Sequence, residues 1–193
     1  MNQIDQVLNF IVEIEKLKAV LRKTRPVGLD RYENSAEHSW HVCLSALMLK
    51  DYANETIDIN RVIKMLLIHD LGEIDAGDTI IYASEAKELK EKEAAGLRRV
   101  LGFLSPETVD EYMALWYEFE LGETPDASYA KAIDRVPPLL HNLHGDGHSW
   151  KDNHVPKEKV LSLNSRIAKG SEALWANLEE KLQAASEADF FDT

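Results

Sequence analysis

Cysteine is almost absent from this chain. Cys43 is the single one in 193 residues, which rules out a disulfide within the chain and any CxxC or Cys-His metal motif. Set in WHVCLSALML, it reads as a small buried apolar residue, with nothing beside it to mark a nucleophile. Glycine and proline are also scarce, at nine and six. No Gly/Ser linker, low-complexity tract or internal repeat divides the sequence, so one domain over 1–193 is expected. Sustained period-two alternation is missing, which removes support for strands. No apolar run approaches the roughly 20 residues needed to span a bilayer, and MNQIDQVLNF lacks the basic start of an export signal. A cytoplasmic protein without a membrane partner is the expectation. GxSxG, P-loop and GxGxxG motifs are missing too, so nothing points to a serine nucleophile, a triphosphate cradle or a dinucleotide site. Basic charge is in deficit, with 22 Lys and Arg against 34 Asp and Glu for a net charge of −12. That field repels nucleic-acid polymers and anionic membranes.

Helical signals fill the chain. Ile4, Val7, Leu8, Ile11 and Ile14 carry a 3.6-residue period that predicts a first helix to about Leu21, ended before Pro26 and Gly28. Asn34 with Glu37 fits a capping box, placing His38 in the first turn of a helix to about Tyr52. Asp58 can cap a helix from Ile59 to about Ile74, with AGDT as a loop presenting Asp78. A Lys/Glu-rich helix is expected from about Ser84 to Leu104. Ser105-Pro106 and Thr124-Pro125 each read as an N-cap with proline at the first helical position. Pro137 and Pro138 predict a kink or pause just after Asp134. A C-terminal helical extension, about 154–193, has helix over roughly Pro156 to Ala185. There Leu174, Trp175 and Leu178 suit either core packing or a homodimer contact.

Within IKMLLIHDLGEI, His69 and Asp70 stand side by side in an apolar helical stretch. Burying both is costly unless something such as a metal ion satisfies them. Neighbours on a helix point about 100° apart and can close on one ion, while Glu73 follows a turn later on the face of His69. Further ligands must come from other helices, and His38 in ENSAEHSWHV and Asp134 in YAKAIDRVPP are the candidates. HSWH, with His41, is a candidate two-ligand motif of its own. His141, His144, His148 and His154 gather around HNLHGDGHSW, whose glycines suggest a loop with exposed imidazoles, and Trp150 is a candidate wall of a ligand pocket.

Taken together, RYENSAEHSWH, HDLGEIDAGD and AKAIDR resemble the HD-domain metal-dependent phosphohydrolases, in particular their bacterial 5′-deoxynucleotidase branch and related small HD hydrolases. The likeness covers most of the first 140 residues and places the metal-site core within about 1–153. It implies a compact all-α HD fold of five core helices, here with additional C-terminal helices. It also implies one divalent ion, Mn²⁺, Co²⁺, Fe²⁺, Zn²⁺ or Mg²⁺, held by His38, His69, Asp70 and Asp134. No histidine lies between Asp70 and Asp134 to build the two-metal arrangement of some HD proteins, so one metal ion per chain, not two, is expected.

Such a centre supports hydrolysis of a phosphate ester. By resemblance, Glu73 would orient or deprotonate water and Asp78 would assist the leaving nucleoside oxygen. KLKAVLRKTR holds Lys16, Lys18, Arg22, Lys23 and Arg25, and continued helix would set Lys18, Arg22 and Arg25 on one face as an anion site. Arg22 matches the family's phosphate-binding arginine. The deoxy-specific branch has tryptophan at the next position, where this chain has Lys23, so sugar selectivity stays open. The expected substrate is a nucleoside 5′-monophosphate, with 2′-deoxyribonucleotides first. The alternatives are a cyclic or modified nucleotide, or a non-catalytic nucleotide sensor with a structural metal. A sensor would have no need of Glu73 and Asp78.

Overall fold

The structure is a computed structural model that describes residues 2–79, 87–187 and 190–191. Among these residues the secondary structure is helical apart from one isolated antiparallel bridge, Leu21 with Asn34. Helix α1 (Gln3–Ile14) opens on Asn2, whose side chain accepts from the Ile4 N–H. It ends sooner than its periodicity predicts, passing through a 3₁₀ stretch at Glu15–Ala19 to an extended Val20. From there the chain pairs with itself: the Arg22 N–H donates to Glu33, the Glu33 N–H to Thr24 and the Ser35 N–H to Val20. Arg22 is therefore in extended backbone, and Lys18, Arg22 and Arg25 do not share a helical face. Lys18 pairs with Glu15, and Arg25 lies over the Tyr32 ring.

The capping box at Asn34 and Glu37 is present and starts α2 (Ser35–Leu49). Asp58 caps α3 (Ile59–Ile68) through the Asn60 N–H. The helix expected to reach Ile74 instead breaks after Ile68, and a short α4 (Glu73–Ala76) follows. Across the break the backbone tightens to i−3 bonds, Leu71 to Ile68 and Glu73 to Asp70. Helix α5 (Lys87–Leu101) follows, and residues 84–86 of the expected helix lie outside the described residues. Ser105 and Thr124 cap α6 (Pro106–Leu121) and α7 (Pro125–Asp134), each with proline in the first turn. The expected pause falls at Arg135, between α7 and α8 (Val136–Leu143). Then come α9 (His148–Asp152), α10 (Lys157–Asn164) and α11 (Glu172–Glu187).

Two apolar clusters organise these helices. One joins Val42 and Ala46 of α2, Met65 and Leu66 of α3, Leu97 of α5, Trp116 and Phe119 of α6 and Ile133 of α7. The other joins Ala132, Val136, Leu139 and Trp150 to Val160, Ile167, Trp175 and Leu178. Trp150 is fully buried and stacks on Phe191, so it does not wall a ligand pocket. Trp175 and Leu178 are core residues and cannot form a dimer surface. Ala132 and Ile133 belong to different clusters, so the end of α7, where Asp134 sits, is anchored from both sides.

Candidate active site

Three helix termini converge here. His38 comes from the first turn of α2, His69 and Asp70 from the break after α3, and Asp134 from the last residue of α7. His38, His69 and Asp134 each offer one ligand atom, and these atoms lie within 4.8 Å of one another. His38 Nε2 is 2.8 Å from Asp134 Oδ1. His69 Nε2 lies 3.1 Å from Asp70 Oδ1 and 3.4 Å from Asp134 Oδ1, yet this buried nitrogen has no hydrogen-bond partner. Its other ring nitrogen, Nδ1, is 2.7 Å from the Leu66 carbonyl, which as acceptor fixes a proton on Nδ1 and leaves Nε2, facing the carboxylates, as the position that takes either a second proton or a metal ion. A buried, orphaned nitrogen among two carboxylates and a second imidazole is a donor set that fits a divalent ion.

The electrostatics agree. Burial works against a charged His69, but Asp70 and Asp134 outweigh it and bring its pKa up to about 9. In the metal-free protein a proton thus neutralises what an ion would otherwise neutralise. Burial likewise opposes the Asp134 carboxylate, but His38 and His69 hold its pKa well below the usual range.

Around the cluster stand the other expected residues. Glu73 is buried at the start of α4 and accepts a 2.6 Å hydrogen bond from Ser35 Oγ. Burial, then the neighbouring Asp70 charge, push its pKa well up despite Arg22. Asp78 rises for the same reason, burial first, with Arg22 opposing. Arg22 Nη1 donates to Asp70 Oδ2 at 2.9 Å and lies 3.6 Å from Asp78. Its Nε faces Glu33 Oε2 at 3.5 Å. The exposed Lys23 joins Arg22, Thr24, Asp78, Leu139 and Asn142 along a neighbouring cleft.

Other histidines part from the sequence reading. His41 does not join His38 but groups with Glu33 and His141. His144 and His154 are exposed as expected, but His141 is buried and His148 Nε2 accepts from the Arg25 N–H. Glu33 and Ser35 were not singled out by sequence. Both flank the capping Asn34, and what gives them meaning is the pairing of 20–24 with 33–35, which brings Glu33 within 3.5 Å of His38 Nδ1.

A model of the HD domain family matches residues 14–175. The 5′-deoxynucleotidase HDDC2 of Xenopus laevis is 25% identical over 139 residues, covering 69% of this chain and 68% of that protein. Its counterpart in Dictyostelium discoideum is 31% identical over 141 residues, covering 69% and 74%. Among solved structures, a protein described as a predicted metal-dependent phosphohydrolase from Magnetospirillum magnetotacticum MS-1 superimposes with a TM-score of 0.93 at 43% identity, over 99% of this chain and 96% of that one. The family match spans most of the sequence and includes every helix terminus that meets at the His38, His69 and Asp134 cluster, and the chain belongs to the HD-domain family of metal-dependent phosphohydrolases.

Proposed function

We propose that the chain hydrolyses the phosphomonoester of nucleoside 5′-monophosphates, 2′-deoxyribonucleotides foremost, releasing nucleoside and phosphate. The observation that carries this reading is the orphaned His69 Nε2, facing Asp70 and Asp134 with Glu73 and Arg22 alongside. The substrate class is drawn from the 5′-deoxynucleotidases among the relatives. In this reading His38, His69, Asp70 and Asp134 would hold the ion, and the Asp70 oxygen beside His69 is not the one that Arg22 engages. When bound, the ion supplies Lewis acidity and lowers the pKa of water.

The chain's own groups do the rest. Glu73, with its pKa raised by burial and the neighbouring Asp70 charge, is suited to take a proton from the attacking water, and Ser35 fixes its orientation. Asp78, also raised, is suited to give a proton to the leaving nucleoside oxygen. Arg22 exchanges part of its carboxylate pairing for the substrate phosphate, and Lys23 faces the substrate from the cleft rim. A cytoplasmic location belongs to the same reading, in keeping with a single cysteine, Cys43, that has no partner for a disulfide within the chain. No described helix is long and apolar enough to cross a membrane. A homodimer is also proposed, and Ile4, Leu8, Trp40 and Met48 are among the exposed apolar side chains that a second copy could cover.

Chromatographic product analysis of purified protein decides the substrate, since a monoester yields nucleoside and phosphate whereas a cyclic nucleotide yields a ring-opened monophosphate. The panel is 5′-deoxymononucleotides, 5′-ribomononucleotides, 3′,5′-cyclic nucleotides and a generic phosphoester, each with Mn²⁺, Co²⁺, Fe²⁺, Zn²⁺ or Mg²⁺. The highest kcat/KM is expected on a 5′-deoxymononucleotide. Turnover of cyclic nucleotides alone, or of nothing, would overturn the proposal.

A further inference from the structure

We propose that Glu33, His41 and His141 form a second divalent transition-metal site, separate from the HD centre, suited to Zn²⁺ or Co²⁺. The absence of histidine between Asp70 and Asp134 does not bear on it, since all three residues lie outside that interval. They come from different parts of the fold: Glu33 from the paired segment before α2, His41 from the second turn of α2, and His141 from α8. Each offers one ligand atom, and the three atoms lie within 4.8 Å of one another.

Glu33 has one oxygen for each site. Its Oε2 faces the HD centre, 3.5 Å from both His38 Nδ1 and Arg22 Nε. Its Oε1 faces the other way, 3.9 Å from His141 Nε2. That gap is too long for a hydrogen bond. It is close to the separation of about 3.4 Å between two ligands of a tetrahedral ion bound at about 2.1 Å, so a closure of about 0.5 Å seats one. His141 is oriented for the task, because its Nδ1 lies 3.2 Å from Thr24 Oγ1. With Nδ1–H donating to that hydroxyl, Nε2 presents its lone pair toward Glu33.

Burial also keeps the His141 and His41 imidazoles neutral near pH 7, the form that ligates. The His41 and His141 rings sit 5.9 Å apart, centroid to centroid, at 37°. Glu33 and His141 are almost fully buried while His41 is partly exposed, so an ion enters from the His41 side and keeps a position there for water. Two imidazoles and one carboxylate with an open position is a donor set that zinc takes. The ion would tie α2, α8 and the paired segment together at one point.

The test is metal stoichiometry, independent of catalysis. Full-length protein, stripped with chelator and dialysed, is titrated with Co²⁺ or Zn²⁺, and bound metal is counted by elemental analysis with Co²⁺ absorption as a second readout. Wild type should bind two equivalents. His41→Ala, which removes a partly exposed side chain, and His141→Gln, which keeps a polar group for Thr24, should each bind one. His69→Ala should lose the other equivalent and keep this one. One equivalent in wild type, two in either His41→Ala or His141→Gln, or loss of both in His69→Ala would overturn the proposal, with circular dichroism confirming that each variant folds.

Discussion

Glu73 and His69 stand four residues apart across the break between α3 and α4, but their surroundings ask different things of them. His69 is locked by the Leu66 carbonyl with its free nitrogen toward Asp70 and Asp134, whereas Glu73 is held by Ser35 and carries a raised pKa. Replacing His69 or Asp70 with Ala should therefore remove metal from the HD centre together with activity. Glu73→Ala should keep that metal and lose about 10²- to 10⁴-fold in kcat, the usual worth of a positioned general base. Elemental analysis beside phosphate-release assays separates the two, and normal turnover by Glu73→Ala would refute its role. Arg22→Ala should lower kcat/KM about 10- to 100-fold, as expected for a lost charged hydrogen bond to phosphate. Lys16, which is largely exposed and paired with Glu13, should tolerate Ala. Equal effects at the two positions would remove Arg22 from the site. The motif words were legible because each is local: EHSWH follows a readable cap and HDLGEI carries its donors within one turn. Glu33 was not legible, since its neighbours Arg22 and His141 meet it only through the non-helical pairing and the tertiary fold.

At the scale of elements, the caps at Asn34, Asp58, Ser105 and Thr124 could be read ahead because each signal sits within four residues of the helix it starts. The breaks could not. Periodicity continues through Leu21 and Ile74, but the chain leaves the helix at Ala19 to pair with 33–35, and again at His69 to form the turn before α4. The second break coincides with a backbone contact that sequence periodicity does not encode. A Cβ on Gly72 would collide with the Glu93 carbonyl of α5, and one on Gly96 would come 2.6 Å from the Gly72 carbonyl. Two glycines therefore let α5 lie directly on the turn that carries Asp70 and Glu73. Gly96→Ala, well inside α5, gains helix propensity yet must push the backbones apart. The steric term should win, costing about 1–3 kcal/mol. With about 2–4 °C per kcal/mol for a domain of this size, calorimetry should show a drop of several degrees and the HD centre should bind metal more weakly. An unchanged or raised Tm would mean that α5 has slack against the turn.

For the molecule as a whole, stability, pH and metal are linked through the HD centre. In the metal-free fold the His69 pKa stands at about 9, above the ordinary imidazole value of 6.5. The group therefore contributes stability that is fully present below about pH 6.5 and is lost as pH rises through about 9, an effect on the order of 3 kcal/mol. Bound metal acts in the opposite direction, because it needs the neutral imidazole and must displace that proton; its stabilisation of the folded state grows as pH rises. The two curves diverge, so the Tm increment on adding saturating Mn²⁺ or Co²⁺ should be small near pH 6 and larger at pH 8.5. In the folded state His141, held near 4 by burial, stays neutral throughout this window, so it adds little slope to the metal-induced increment. In His69→Ala the pH dependence of the increment should flatten. Differential scanning calorimetry at matched ionic strength measures it directly, and a metal-induced shift that shrinks with rising pH would show that the cluster of His69, Asp70 and Asp134 does not exchange a proton for the ion.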